Sequence, residues 1–229
     1  THPEMGYRLR DLPGGARIVA AFRRCGDFAR EQGLRTTFHP DQFVLLSSPS
    51  DDVTRRSLEE LAYQAEVAEL IGADVINLHG GGGCGDRPAA LERLARRLEK
   101  LPEAIRRRLT LENDDRVYGP SELLPFCERE GVPFVYDVHH HRCRRDPLPE
   151  AEATERALAT WDREPLFHLS SPQAGWAGPH PCYHHDYIDP ADFPEAWLHL
   201  ERPLTIEVEA KAKELAVLRL KGDLAARAV

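Results

Sequence analysis

Six short runs of apolar and β-branched residues recur along the 229-residue chain, separated by longer amphipathic stretches, and this alternation limits the fold more than any other feature. The runs are Arg35–His39, Asp74–His79, Leu109–Asn113, Pro133–Asp137, Pro165–Leu169 and Pro203–Glu209. They are near-continuously apolar, the pattern of parallel strands covered on both faces. The clearest helix between them is predicted over Asp51–Ile71, with Leu58, Leu61, Ala65 and Ala68 on one face and Gly72 as its stop. Further helices are predicted over Ile18–Gln32 before Gly33, Pro88–Lys100 with Asp86 as N-cap, Ser121–Glu130 before Gly131, and Ala151–Trp161.

At or near the carboxyl ends of the runs stand His39, His79, Glu112, Asp137, His168 and Glu209, which are 40, 33, 25, 31 and 41 residues apart. A strand–helix–strand unit takes roughly 30 residues, so this is a βα rhythm. A doubly wound sheet shares it but would carry a glycine-rich nucleotide fingerprint after its first strand, and none is present. The expectation is therefore an α/β, TIM (β/α)8-type barrel forming one domain over residues 1–229. Such a barrel has eight strands and six are readable, so either two strands escape the reading or the first two N-terminal βα units are lacking; the abrupt opening of the chain favours the second expectation.

The chain has no apolar stretch approaching the ~18 residues of a membrane span, and its opening Thr1-His2-Pro3-Glu4 lacks the features of a signal peptide. A cytoplasmic, monomeric protein is expected. The five cysteines, Cys25, Cys84, Cys127, Cys143 and Cys182, are scattered and form no CxxC pair, which speaks for reduced thiols and against a zinc ribbon or disulfide framework; Cys182 reads as small buried filler. The net charge of −8 disfavours non-specific nucleic-acid binding. Three divalent cations would bring it to −2 and place positive charge inside a site.

A lone strand-end histidine is ordinarily a hydrogen-bonded core or surface residue, and a lone carboxylate a cap or solvated loop residue. Six of six strands ending in imidazole or carboxylate is not explained that way. Strand carboxyl ends form the active face of such barrels, where converging carboxylates would repel unless cations sit between them. With His140 in "DVHHH" and His184 in "HHDYI", both read as loop residues, there are eight candidate ligands, enough for two or three ions. Mixed His/carboxylate ligation without thiolate suits Mn²⁺ or Zn²⁺, with Mg²⁺ an alternative. Clustered divalent ions activate water and neutralise charge developing on phosphorus, which points to phosphoester hydrolysis.

The segments "HPDQFVLLSSP", "NLHGGGG…GDR", "RLTLENDD", "YDVHHH", "HLSSP", "HHDYI" and "EAKAKELAVL", in this order from His39 onward, resemble the UV damage endonuclease family, relatives of endonuclease IV and of xylose-isomerase-like barrels. The resemblance implies a manganese-dependent DNA repair endonuclease that cleaves the phosphodiester immediately 5′ to UV photoproducts, leaving 3′-hydroxyl and 5′-phosphate. It makes His39, His79 and Glu112 ligands of one ion, with Glu112 bridging to a second held by Asp137, His168 and Glu209, and His140 and His184 ligands of a third. Glu112, Glu209 and His168 are the expected catalytic residues. Glu207 is the alternative to Glu209 should the register shift, and His139, His141 and His185 are alternatives to their neighbours. An abasic-site endonuclease and a metal-dependent sugar isomerase are the rival enzymes; a catalytically dead metal-binding barrel is the rival from another class.

Damaged double-stranded DNA is the expected partner, and a lesion inside a duplex must be extruded to be read. Gln42-Phe43 occupies the place of the family's glutamine-aromatic pair, which implies a wedge stacking on orphaned bases; Phe43 as ordinary core is the alternative. Arg87 and Lys211 are candidate phosphate contacts, and Gly80–Gly83 would bring backbone N–H groups close to a phosphate. Arg106–Arg108 reads as a solvated tract away from the site. Three departures from the family pattern stand out: Leu166 in place of a lysine near the metals, Phe43 in place of tyrosine, which keeps stacking and loses a hydroxyl, and the expected lack of the family's first two strands.

Overall fold

The computed structural model describes residues 8–83 and 85–227, so the opening Thr1-His2-Pro3-Glu4 and Cys84 lie outside the described residues. The chain forms two compact units, Thr1–Leu111 and Glu112–Val229, each of α/β construction.

In the first unit a 3₁₀ turn (Leu9–Asp11) leads into α1 (Gly15–Glu31), β1 (Thr37–Phe38), α2 (Asp51–Ile71), β2 (Val75–His79), α3 (Arg87–Leu98), α4 (Glu103–Arg106) and β3 (Leu109–Glu112), whose last residue opens the second unit. β1 pairs parallel with β2, Thr37 opposite Val75 and Phe38 opposite Ile76. The Ile76 N–H donates to the Arg108 carbonyl at 2.8 Å and carries the pairing on at the start of β3. The predicted strand and helix order is observed, and α2 has the predicted bounds. Its start is set by the Ser50 side chain, which accepts from the Val53 N–H, and its end by Gly72 in the left-handed conformation, φ 78°. Asp86 likewise caps α3, accepting from the Ala89 N–H at 3.1 Å. β1 is shorter than the predicted Arg35–His39, because Pro40 has no N–H for a ladder and the chain turns at once through a bond from Val44 N–H to the Asp41 carbonyl.

The second unit holds α5 (Pro120–Glu130), β4 (Phe134–Asp137), α6 (Val138–Arg144), α7 (Glu150–Ala159), β5 (Leu166–Leu169), a 3₁₀ turn (Pro190–Asp192), α8 (Glu195–Leu198), β6 (Thr205–Val208) and α9 (Glu214–Arg227). β4, β5 and β6 pair parallel in chain order; Asp137 lies opposite His168 and His168 opposite Glu207. Its core is aromatic: Tyr136, Phe167 and Trp197 meet edge-on or tilted with centroids 5.4–6.2 Å apart. Each polar tip is satisfied, the Trp197 indole by Thr154 Oγ1 at 3.1 Å and the Tyr136 hydroxyl by His141 Nδ1 at 2.6 Å. His141 is thereby committed to the core.

Three expectations need correction. "DVHHH" is not a loop but the start of α6, because the Asp137 carboxylate accepts the His140 N–H at 2.7 Å and caps a helix there. The Arg106–Arg108 tract is not wholly solvated: Arg108 is buried and donates to the Ala73 and Ala104 carbonyls, both at 2.9 Å, and to Glu69. Those carbonyls follow α2 and lie within α4, and a guanidinium supplies donors to both. Cys127 is buried, Cys143 and Cys182 are half-buried and Cys25 is exposed, so Cys182 is not fully buried filler. Among the described residues no helix is long and apolar enough to cross a membrane.

At Gly26, in α1, a Cβ would stand 2.7 Å from the Ile71 Cα and carbonyl oxygen at the end of α2. Alanine improves helix propensity by ~1 kcal/mol over glycine, but separating two backbones costs ~1–3 kcal/mol. Gly26→Ala is expected to lower the urea midpoint. An unchanged or higher midpoint would mean that the close approach of α1 and α2 contributes nothing.

Candidate metal centre

Parallel pairing places residues of equal register on one face of a sheet, and the face beyond the ends of β4–β6 receives Asp137, His168 and Glu209. One ligand atom from each lies within 4.8 Å of the other two. Glu209 follows β6 directly and is held by two backbone bonds, its N–H to the Leu169 carbonyl at 3.0 Å and its carbonyl to Ser170 Oγ at 2.7 Å. Glu112 joins them from the end of β3, its Oε1 3.1 Å from His168 Nδ1 and 3.5 Å from His140 Nδ1. Glu207 is also close to His168, at 3.7 Å, but its side chain is the more exposed of the two carboxylates at this end of the sheet.

Glu112, Asp137 and His168 are fully buried. Burial opposes charge on His168, yet the Glu112 and Glu209 carboxylates outweigh it and lift the imidazole to about 10. His140 behaves alike: burial works against its charge, and Asp137, Glu112 and Glu209 raise it well above the ordinary value. The site thus draws positive charge onto its histidines. Asp137 Oδ2 is buried and makes no hydrogen bond among the described residues, with His140 Nδ1 3.4 Å away. A buried carboxylate oxygen lacking a donor costs on the order of several kcal/mol unless a cation meets it. The donor set of carboxylate oxygens and imidazole nitrogens fits a divalent metal such as Mn²⁺ or Zn²⁺.

α6 positions His140, and its Nδ1 also faces the Asn113 carbonyl at 3.1 Å. Asn113 escapes the sequence reading, although it lies in the "LEND" segment. Its side chain clasps the Asp137 backbone, accepting from the N–H at 3.0 Å and donating to the carbonyl at 2.8 Å, and so sets the carboxylate's origin. His184 sits on the β5–β6 connection, with Nδ1 3.8 Å from Glu209 Oε2 and its ring 6.2 Å from that of His140. An antiparallel bridge of His184 with Pro172 and a bond from the His185 N–H to the Ser171 carbonyl fix that connection. His139 is buried between Trp176 and His184, both rings 5.3 Å away; burial and the neighbouring His184 and His140 lower it to about 4, and neither ring nitrogen makes a well-formed hydrogen bond. His185 Nδ1 instead accepts from the Tyr187 N–H at 2.9 Å.

In the first unit the His39 and His79 rings meet edge to face with centroids 5.1 Å apart. Phe43 is 74% exposed, so the ordinary-core alternative does not hold, and Gln42 beside it is exposed as well. Arg87 is exposed at the first turn of α3. Lys211, in the second unit, is exposed, with its N–H bound to the His185 carbonyl at 3.1 Å. Leu166 is buried on β5, two residues from His168 and on the same face of the strand.

Residues 1–228 match the family model described as UV-endonuclease UvdE. The chain is 38% identical over 218 residues to the UV DNA damage endonuclease of Bacillus velezensis, covering 90% of this chain and 66% of that protein. It is 34% identical over 236 residues to the UV DNA damage endonuclease of Bacillus cereus, covering 99% and 72%. The chain thus spans about two thirds to three quarters of the length of these relatives. Among solved structures, that of SacUVDE superposes with a TM-score of 0.83 at 28% identity, over 92% of this chain and 72% of its own. Endonuclease IV from Thermus thermophilus (TM-score 0.64, 18% identity, 94% and 83% covered) and a D-tagatose 3-epimerase-like protein (0.68, 15%, 90% and 81%) share the fold. The buried carboxylate–imidazole cluster therefore belongs to a chain that is a member of the UV-endonuclease UvdE family.

Proposed function

We propose that this chain takes part in DNA repair as a metal-dependent endonuclease, hydrolysing the phosphodiester immediately 5′ to UV photoproducts and leaving 3′-hydroxyl and 5′-phosphate ends. The observation that carries the reading is the buried grouping of Asp137, His168 and Glu209 beside Glu112 in a chain of the UvdE family. Asp137, His168, Glu209 and Glu112 would hold one ion. His140 and His184 would serve a further one, and the residue-by-residue resemblance assigns His39 and His79, with Glu112, to another. Two or three Mn²⁺ ions, with Zn²⁺ or Mg²⁺ as alternatives, would supply a water nucleophile near neutral pH and neutralise the charge growing on the phosphate. The protein's share is positional. Asn113 and Ser170 lock the backbones that carry Asp137 and Glu209, so the carboxylates need no reorganisation when substrate arrives.

Damaged duplex DNA is the partner and a monomer in the cytoplasm the acting species. The exposed Gln42-Phe43 pair enters the helix at the lesion, Phe43 stacking on the bases left without partners. Arg87, Lys211 and the backbone of Gly80–Gly83 serve the phosphates. Leu166 places a hydrocarbon where the resemblance implies an amine, so whatever that amine contributes is absent here. The likeness to SacUVDE supports reading residues 1–229 as one catalytic domain of the (β/α)8 type.

Incision of a duplex bearing one photoproduct, compared with an abasic duplex, tests the substrate. Nicking 5′ to the photoproduct is expected, and cleavage confined to abasic sites would overturn the proposal in favour of the endonuclease IV type. His79→Ala and Glu112→Gln should each slow nicking by about 10²–10³-fold, the scale of losing a preorganised charge-stabilising group. The histidines provide a second test that needs no turnover. His168, with its value near 10, and His140 are protonated in the metal-free protein near neutral pH, so ligation must expel protons and metal affinity must rise with pH. Calorimetric Mn²⁺ titration in buffers of different ionisation enthalpy should show net proton release; affinity independent of pH would contradict the ligand assignment.

A further inference from the structure

Between β1 and α2 the chain makes an excursion whose two ends differ sharply in exposure. Asp41, Gln42 and Phe43 project into solvent, while Leu46, Ser47 and Ser48, only three residues on, are 2%, 1% and 6% exposed. A buried non-helical segment leaves carbonyls that the regular elements do not serve. Here three consecutive carbonyls are taken by two arginines of α3, one turn apart on the same face of the helix. Arg97 Nη1 donates to the Leu46 carbonyl at 2.5 Å and to the Ser48 carbonyl at 2.6 Å, and Arg93 Nε donates to the Ser47 carbonyl at 2.9 Å. From the other side Ser57 Oγ of α2 accepts the Leu45 N–H at 2.9 Å while donating to the Val53 carbonyl at 2.8 Å. Ser47 Oγ reaches the Gly82 carbonyl at 3.3 Å. Successive anchors thus grip every residue from 45 to 48.

We infer that Arg97, with Arg93, is a positioning residue for lesion recognition: the two guanidinia clamp the buried root of the loop whose exposed tip carries Gln42 and Phe43. The inference rests on the reading of that pair as the wedge that enters damaged DNA. A side chain that must push between stacked bases loses its effect if the backbone beneath it yields, and ordering a loose loop on binding draws down affinity. The two N–H groups on Arg97 Nη1 serve two carbonyls at once with charge-assisted bonds, and the planar guanidinium holds them in a fixed geometry that a freely rotating ammonium holds less well. Neither arginine touches DNA in this scheme, so their removal should weaken capture of the lesion and leave the chemical step intact.

The experiment is single-turnover incision of a duplex with one photoproduct, over a range of protein concentrations in Mn²⁺. Arg97→Gln should raise the half-saturating concentration by about 5–20-fold while the rate at saturation stays within about 2-fold. Arg97→Lys should fall between the two, and Ser57→Ala, which loosens the same root from α2, should shift capture in the same direction. Phe43→Ala should show a loss of its own, and Arg97→Gln added to it should cost little more, because both act through one element. A loss at Phe43→Ala with none at Arg97→Gln or Ser57→Ala overturns the clamp and leaves the wedge reading standing. No loss at Phe43→Ala removes the wedge reading and the clamp with it. A fall in the saturating rate of Arg97→Gln matching its loss of capture makes the arginine a fold residue and also overturns the inference; should Arg97→Gln fail to fold, Ser57→Ala decides.

Discussion

Three carboxylates, Glu112, Asp137 and Glu209, crowd two buried imidazoles, and the need to neutralise that charge governs the second unit. The protein alone can answer it by loading protons onto His140 and His168, against a burial that disfavours any charge. Even then Asp137 Oδ2 has no hydrogen-bond donor among the described residues, only the His140 ring nitrogen 3.4 Å away. Divalent ions held by these groups would resolve the conflict from both sides, meeting the carboxylates and leaving the imidazoles in the neutral form that ligates. The site is poorly balanced as a piece of fold, and that imbalance is what a bound cation would use.

The surroundings hold these groups in place. Asp137 ends β4, caps α6 through the His140 N–H and has its backbone clasped by Asn113, so one residue fixes its own carboxylate and the helix that delivers His140. The β5–β6 register sets His168 against Glu207 and lets Glu209 follow one pleat later. In the first unit the same economy appears at the loop after β1, where α3 and α2 grip the base and leave Phe43 outside. Rigid supports under exposed or charged groups are common to both units.

Strands and major helices were legible because their causes are local. Buried parallel strands leave apolar runs, and α2 announces both its ends through Ser50 and Gly72. Candidate ligands stand out in the sequence because a ligand-type residue lies at or near the end of every run. What escaped depended on contacts distant in sequence or on weak propensity. α6 is seven residues rich in histidine, a middling helix former, and exists because Asp137 caps it. Arg108 looked solvated until Ala73 and Glu69, 35 and 39 positions away, proved to be its partners. Asn113 carries no signal of its own beyond standing next to Glu112. The role of Arg93 and Arg97 was equally hidden, since arginines on an amphipathic helix ordinarily face water.

Cations lying among these side chains are the central requirement. Diffraction from crystals grown with Mn²⁺, recorded at the manganese absorption edge, locates such ions directly. An anomalous peak is expected among Asp137, His168 and Glu209, at ligand distances of about 2.0–2.2 Å. Density showing His168 still hydrogen-bonded to Glu112, with no peak beside the buried Asp137 oxygen at saturating metal, would contradict it.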